Sequence, residues 1–238
     1  MTEPYLDDNS ARKRDAWAQR EGVDEYTAQI GDYALQRDRH VIGSFLGEGP
    51  GRILDIPCGT GRFIALERSK GFQVVAADYS PTMLSVAEQY EGVEFVRADV
   101  FDPPFQPAFF DVILISRLMF HYASPERILR HLLPSLKPGG RIVFDTLNPL
   151  SSRWVASQCV HAVNRDPAKR LHFEPPGRMR RKLDAMGLKV LDWTTGYILP
   201  TRVYKWLPGF IIGTCDLFEH MMPRSLRVVS YWHVTLPG

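Results

Sequence analysis

Cysteine is scarce in this chain: three among 238 residues, Cys58, Cys159 and Cys215. Spaced so widely, they offer neither a CxxC metal pair nor a disulfide framework, and reduced thiols in an intracellular protein are the expectation. An excess of one charge is also lacking. Lys and Arg number 29 against 27 Asp and Glu, a formal net charge of +2. That balance gives no general electrostatic case for nucleic acid, so an acidic partner would need a local patch. Long apolar runs are missing as well. No window approaches the roughly 20 apolar residues of a membrane span. The most apolar late stretch, 203–218, is interrupted by Lys205, Pro208, Gly209, Gly213 and Asp216. The opening residues, MTEPYLDDNSARKRD, mix both charge signs and have no signal-peptide core. A soluble, cytoplasmic protein is expected, with no metal site.

What is present is ordinary globular composition, 45% hydrophobic and 24% charged, in a length that suits one large α/β domain. The order of elements carries the information. Residues 11–46 read as helices, with Trp17, Tyr26, Ile30, Tyr33, Val41, Ile42 and Phe45 spaced among charges. They form an N-terminal helical segment or lid over residues 1–50, with the main domain over 51–238. The apolar run 52–56 is a strand that stops at Pro57-Cys58-Gly59-Thr60-Gly61, and a helix over 62–70 closes on Gly71. A second strand, 72–77, ends at Asp78. Ser80-Pro81 then starts a helix, with a hydroxyl at the N-cap and proline in the first turn. A third strand ends at Asp99 and a fourth, 111–115, at Ser116. Ser124-Pro125 opens a helix to about residue 136. Lys137-Pro138-Gly139-Gly140 is a turn, and 141–146 is a fifth strand.

Strands alternating with helices, several of them continuously apolar, predict a doubly wound, mostly parallel sheet with helices on both faces. Right-handed crossovers place every strand's C-terminal end on one rim, where open α/β sheets bind ligands. Asp55, Asp78, Asp99 and Ser116 all fall on that rim. Three carboxylates gathered there call for a ligand rich in hydroxyl and amine donors.

The segment Ile53-Leu54-Asp55-Ile56-Pro57-Cys58-Gly59-Thr60-Gly61 resembles the first motif of class I S-adenosylmethionine-dependent methyltransferases. Residues 74–84, 95–100, 110–115 and 133–140 resemble, in order, the second, third and fourth motifs and the turn before the fifth strand. The resemblance implies a seven-stranded sheet whose last strand runs antiparallel beside the fifth, and S-adenosyl-L-methionine as cofactor. It implies roles as well. Gly59 and Gly61 let the backbone approach the ligand. Pro57 and Cys58 belong to the same loop, with Pro57 standing where the family more often has glycine. Asp78 accepts from the ribose hydroxyls, Asp99 from the adenine amino group, and Val100 meets the ring through its backbone. Tyr79 and Met83 flank the adenine. Asp55 orients the loop or reaches the ligand's ammonium group through water, and Ser116 lies near that group. A nicotinamide or flavin Rossmann oxidoreductase is the distant rival. Its fingerprint needs a third small residue where this chain has Ile64, and Pro57 occupies the place of its first glycine. A non-catalytic binding module is a third alternative.

Methyl transfer from a sulfonium is an in-line displacement with a good leaving group, so positioning can supply much of the catalysis. A base is needed only for a weakly acidic acceptor. His121 and Tyr122, just past the fourth strand, are the catalytic candidates, and His161 and His220 are weaker ones. Tyr26 and Tyr33 either close over the cofactor or pack in the core. Cys58 recurs in a Pro-Cys pair after the first strand, the wrong place for a cytosine-C5 nucleophile. Ser116-Arg117-Leu118-Met119 lacks the motif of amino-group methylators of bases and glutamine. No glutamate pair marks a protein-arginine enzyme.

Residues 176–186 read as a helix carrying the basic run Arg178, Arg180, Arg181 and Lys182, with Arg165, Lys169 and Arg170 upstream. It is either a solvated face or a seat for an anionic acceptor, RNA or a membrane surface. Strands are expected at 188–193 and 226–234. Between them lies an apolar insertion, about 199–223, taken as part of an acceptor pocket. A small, lipophilic or aromatic metabolite is the expected acceptor, RNA or protein modification the alternative, and a homodimer is possible.

Overall fold

The computed structural model describes residues 31–163 and 170–237. Most of the expected N-terminal segment, including Trp17, Tyr26 and Ile30, therefore lies outside the described residues, as do Arg165 and Lys169. The first described helix is α1, Asp32–Leu46. After it come β1 (Gly51–Asp55), α2 (Ile64–Ser69), β2 (Phe72–Asp78), α3 (Pro81–Ala87), β3 (Glu94–Arg97), β4 (Phe110–Ile115) and α4 (Glu126–Leu132). The chain continues through β5 (Leu136–Leu147), α5 (Ser152–Val163), α6 (Pro176–Ala185), β6 (Lys189–Gly196), α7 (Gly209–Met221) and β7 (Val229–Thr235).

The strands form one sheet in the order β3-β2-β1-β4-β5-β7-β6. β1 pairs in parallel with β2 and β4, as do β2 with β3 and β4 with β5. β7 is antiparallel to both β5 and β6. The expected doubly wound sheet with an antiparallel last strand is what the chain forms. Strand order reverses between β1 and β4, which opens a crevice at their C-terminal ends.

Two-residue periodicity sorts the core into two layers. Ile53, Val74, Ala76, Val112, Leu114 and Val143 face one side, where Ile42, Phe45 and Leu46 of α1 cover them. Leu54, Val75, Ala77, Ile113, Ile115, Ile142 and Phe144 face the other, under Ile128, Leu129 and Leu132 of α4 and Met179 and Leu183 of α6. Each such side chain contributes about 1.5–3 kcal/mol on burial, and covering on both faces is why the strands read as unbroken apolar runs.

Local signals held where their chemistry is short-ranged. The Ser80 hydroxyl accepts from Met83 N at 3.2 Å, with Pro81 in the first turn. Gly71 and Gly187 take φ of +85° and +75° and stop their helices. Residues 137–140 have no partners on β4, so the expected turn bulges out of β5 between Leu136 and Arg141. Others moved. The helix expected from residue 62 starts at Ile64, because residues 60–63 complete the glycine turn. Ser124 does not cap α4; Pro125 stands there and makes no side-chain bond. The insertion resolves into a short 3₁₀ turn, Val203–Trp206, and the helix α7.

Candidate functional site

The crevice at the strand ends is a cavity lined by Ile56, Pro57, Gly59, Asp78, Tyr79, Ser80, Met83, Ala98, Asp99, Val100, Ser116, Arg117, Leu118, His121 and Tyr122. Four strand ends build it. The loop after β1 is pinned from below: Cys58 N donates to Ala77 O at 2.8 Å and Gly61 N to Cys58 O at 3.0 Å. Gly59 and Gly61 take φ of +55° and +84°, a region that disfavours side chains.

Asp78, at the end of β2, holds this loop to the next one. Its Oδ2 accepts from Gly59 N and its Oδ1 from Ser80 N, both at 2.9 Å. Burial pushes its carboxyl up to about 6, against the lowering effect of these backbone donors. A carboxylate has about four acceptor positions, so these donors do not exhaust it. Asp99 Oδ1 accepts from Phe101 N at 3.0 Å, fixing the turn that brings Val100 to the wall. Arg97 lies over the Tyr79 ring, 5.6 Å from its centroid. His121 ends a 3₁₀ turn, Met119–His121, and its backbone N donates to Leu118 O at 2.9 Å. Tyr122 is buried and meets Phe101 edge-on at 5.1 Å.

Pro57, Gly59, Asp78, Tyr79, Met83, Asp99, Val100, Ser116, His121 and Tyr122 are thus gathered at one cavity. Asp55, Cys58 and Gly61 are not in its lining. Asp55 is 1% exposed and sits beneath the loop with Glu67 of α2, which is fully buried. None of their four carboxylate oxygens has a hydrogen-bond partner. Burial raises both carboxyls well above the ordinary range, Asp55 against the lowering effect of Arg62 and with the added charge of Asp78, and Glu67 with the added charge of Asp55. Burial, followed by the charges of Asp55, Asp78 and Glu67, pushes the Cys58 thiol up as well, so it is no nucleophile. The other cysteines are unbridged too.

Sequence reasoning passed over five residues of the lining, Ile56, Ser80, Ala98, Arg117 and Leu118, and of these Arg117 alone is charged. It follows Ser116 with φ +62°, an uncommon conformation for a side chain of this size. Its backbone N donates to Asp145 Oδ1 at 2.6 Å and its Nη2 to Asp38 Oδ2 at 2.7 Å. Asp38, on α1, also receives Arg62 Nη2 at 2.6 Å, Tyr197 OH at 2.8 Å and the Tyr231 hydroxyl. Burial would raise Asp38, but Arg117 and Arg62 overcome it and hold the carboxyl at about 2. The signal available in the sequence was a lone aspartate on the otherwise apolar stripe Ala34, Asp38, Ile42, Phe45.

Tyr33 does not reach the cavity: its hydroxyl bonds Asp216 and its ring stacks on Tyr204 at 5.1 Å. No residue of the 199–223 insertion lines the cavity either. Of its large apolar side chains, Trp206, Phe210, Leu217, Phe218 and Met221 are exposed and Tyr204 is buried. Among the described residues no cluster of His, Cys, Asp or Glu suits a metal, and no helix is long and apolar enough to cross a membrane.

A glycine turn after β1, an acid at the end of β2 and another after β3 converge at the switch point of an open sheet, the place where α/β domains bind ligands. Residues 54–144 match a family model described as a methyltransferase domain. Over 96 residues the chain is 45% identical to the demethylmenaquinone methyltransferase of Clavibacter sepedonicus, spanning 39% of this chain and only 39% of that protein's length. Over 178 residues it is 26% identical to the ubiquinone biosynthesis O-methyltransferase of Idiomarina loihiensis, covering 70% of each. A SAM-dependent methyltransferase of Thermotoga maritima shares the fold, with a TM-score of 0.68 at 16% identity over 92% of this chain and 98% of that one. In the matched region, residues 54–144, and in the order of its sheet the chain is similar to the class I S-adenosylmethionine-dependent methyltransferases.

Proposed function

We propose that this chain transfers a methyl group from S-adenosylmethionine to a small, lipophilic or aromatic acceptor. The observation that carries the proposal is the convergence of Gly59, Asp78, Asp99, Ser116 and His121 on one cavity at the strand ends. When bound, the cofactor supplies an electrophilic methyl group on a sulfonium. The chain's own residues do the rest. Asp78 accepts from the ribose hydroxyls while keeping Gly59 in place. Asp99 and the Val100 backbone read the adenine, between Tyr79 and Met83. Ser116 faces the amino-acid end. Leu118, His121 and Tyr122 close the adjoining wall, excluding water and orienting the acceptor, with His121 placed to take a proton where the acceptor is a phenol or enol. Leu118 and the Tyr122 ring on that wall and the quinone-pathway names of two relatives support the acceptor class.

Calorimetric titration with S-adenosylhomocysteine and with NADH tests the cofactor. Binding of the first alone is expected, and binding of NADH alone would transfer the chain to the oxidoreductases. Asp78→Ala should weaken S-adenosylhomocysteine by about 2 kcal/mol, the scale of lost charge-assisted hydrogen bonds. His121→Ala should lower methyl turnover on a quinol-type acceptor at unchanged cofactor affinity. Full activity in that variant would assign His121 to packing.

A further inference from the structure

Helix α7 presents two unlike faces. Inward, Cys215 and Glu219 are buried, and both acidic residues of the helix turn that way: Asp216 and Glu219 pair with Arg37 of α1. Outward, Phe210, Leu217, Phe218 and Met221 recur at spacings of seven, one and three, which is one side of a helix. With Trp206 just before the helix, they range from 55% exposed (Phe218) to 80% exposed (Trp206). The remaining outward positions, Gly213, Thr214 and His220, include no acid. Exposed cations flank it in sequence, Arg202 and Lys205 before the helix and Arg224 after it. Lys205 Nζ lies 5.4 Å from the Trp206 ring centroid, and Arg224 lies 5.3 Å from that of Trp193. A continuous apolar face of this kind on a folded chain marks a binding surface.

We propose that α7 and Trp206 form an interfacial docking face that seats the protein on an anionic phospholipid surface. The composition fits that occupant. Aromatic and long apolar side chains enter the acyl boundary, tryptophan and lysine stand at headgroup level, and basic residues meet lipid phosphate. Thirteen residues make a helix of about 20 Å, suited to lying in the interface plane. A second copy docked about a two-fold axis would bring the same flanking cations together, whereas lipid phosphates neutralise them. The face is also wired to the cavity. Glu219 Oε2 accepts from Tyr197 N at 2.9 Å, Tyr197 OH donates to Asp38 Oδ1 at 2.8 Å, and Asp38 holds Arg117 of the cavity wall. The proposal stands independently of the acceptor, because it needs only this face and its flanking cations.

Flotation of the full chain with vesicles of phosphatidylcholine, with and without phosphatidylglycerol, tests it. The protein should rise with the anionic vesicles and be released by salt. Phe210→Glu with Phe218→Glu should lower the bound fraction by about tenfold or more, at unchanged S-adenosylhomocysteine affinity, and Lys205→Glu should reduce the preference for phosphatidylglycerol. Retained cofactor binding shows that the variants are folded. A wild-type chain that stays unbound to both vesicle types at low salt overturns the proposal. That is the result expected if a second copy, seen as a dimer that Phe218→Glu dissociates, or residues 1–30 cover the face instead. Equal binding of the double variant also overturns it.

Discussion

Arg117 and Asp38 are joined at 2.7 Å between Nη2 and Oδ2, across 79 residues of sequence. One lines the cavity at the end of β4, and the other sits 1% exposed on the inner face of α1. The pair is how a helix outside the cavity fixes a residue of its lining. Asp38→Ala should cost about 3–5 kcal/mol in urea unfolding, because Arg117, Arg62 and two tyrosine hydroxyls lose a shared buried acceptor. Asp38→Asn should cost less, since the amide oxygen still accepts. The acid limb follows from the depressed carboxyl, held at about 2. A group lowered in the fold contributes stability above its unfolded value, near 4, and loses it as pH falls through about 2. The contribution is on the order of 2 kcal/mol. A wild-type acid transition that Asp38→Asn leaves unchanged would remove Asp38 from that role.

The opposite sign applies to Asp55 and Glu67. Both are raised by burial, Asp55 further by Asp78 and Glu67 further by Asp55, and their oxygens have no donors. A group raised in the fold contributes stability below its unfolded value and loses it as pH rises through the folded one. Wild-type melting temperature should therefore decline as pH rises above the unfolded carboxylate values, about 4. Glu67→Gln removes one of the two competing charges and supplies an amide donor. It should flatten the decline and raise the melting temperature at pH 8, as read by scanning calorimetry. A variant less stable than wild type at pH 8 would mean that the pair is satisfied as it stands.

How much of this was legible in the sequence depends on the range of the force involved. The central parallel strands were legible because the apolar runs at Asp55, Asp78 and Ser116 encode their own burial, whereas the edge strand β3, half-exposed, was legible from its place in the alternation. The Ser80 cap, the Gly71 and Gly187 stops and the bulged turn at 137–140 are local chemistry as well. The cavity wall from Pro57 to Tyr122 followed from the motif order. The Asp38 network was not legible, since its members come from α1, the glycine loop, the end of β4, β5, β7 and residue 197. Only the folded chain brings them together. Helix α7 was missed for the reverse reason. Its apolar residues sit on the solvent side, so an apolar-inward pattern gave no helical stripe. The same inversion explains why the insertion was expected to wall the site.

Gly61 is a second test of the loop. It has φ +84°, and a Cβ there would lie 2.8 Å from the Tyr90 ring and 2.9 Å from Ile64 Cδ1. Gly61→Ala meets both the backbone penalty and a clash with packed side chains. A loss of about 1–3 kcal/mol in stability is expected, with weaker S-adenosylhomocysteine binding because the loop shifts at Gly59. Tyr90→Ala in the same chain should recover part of the affinity by relieving the ring contact. Unaltered binding in Gly61→Ala alone would show that the loop tolerates the displacement.

Asp78 gives the sharpest pH signature of the site. Its carboxyl, near 6, is raised from the ordinary 3.8, so the unliganded fold gains from it at low pH and loses that gain as pH rises through about 6. The ionised group therefore costs the empty site about 3 kcal/mol at neutral pH, and hydroxyl donors on a bound nucleoside would offset that cost. Only the ionised carboxylate can accept from two such donors while still holding Gly59 and Ser80. S-adenosylhomocysteine affinity should accordingly rise about tenfold between pH 5 and 7 and level off above. Asp145, also raised to about 6 by burial, lies outside the cavity lining with its Oδ1 on Arg117 N. Asp78→Ala separates the two: it should weaken binding and leave the remaining affinity nearly flat over that range. A wild-type profile without a step near pH 6 would mean that the ribose hydroxyls are not held by Asp78.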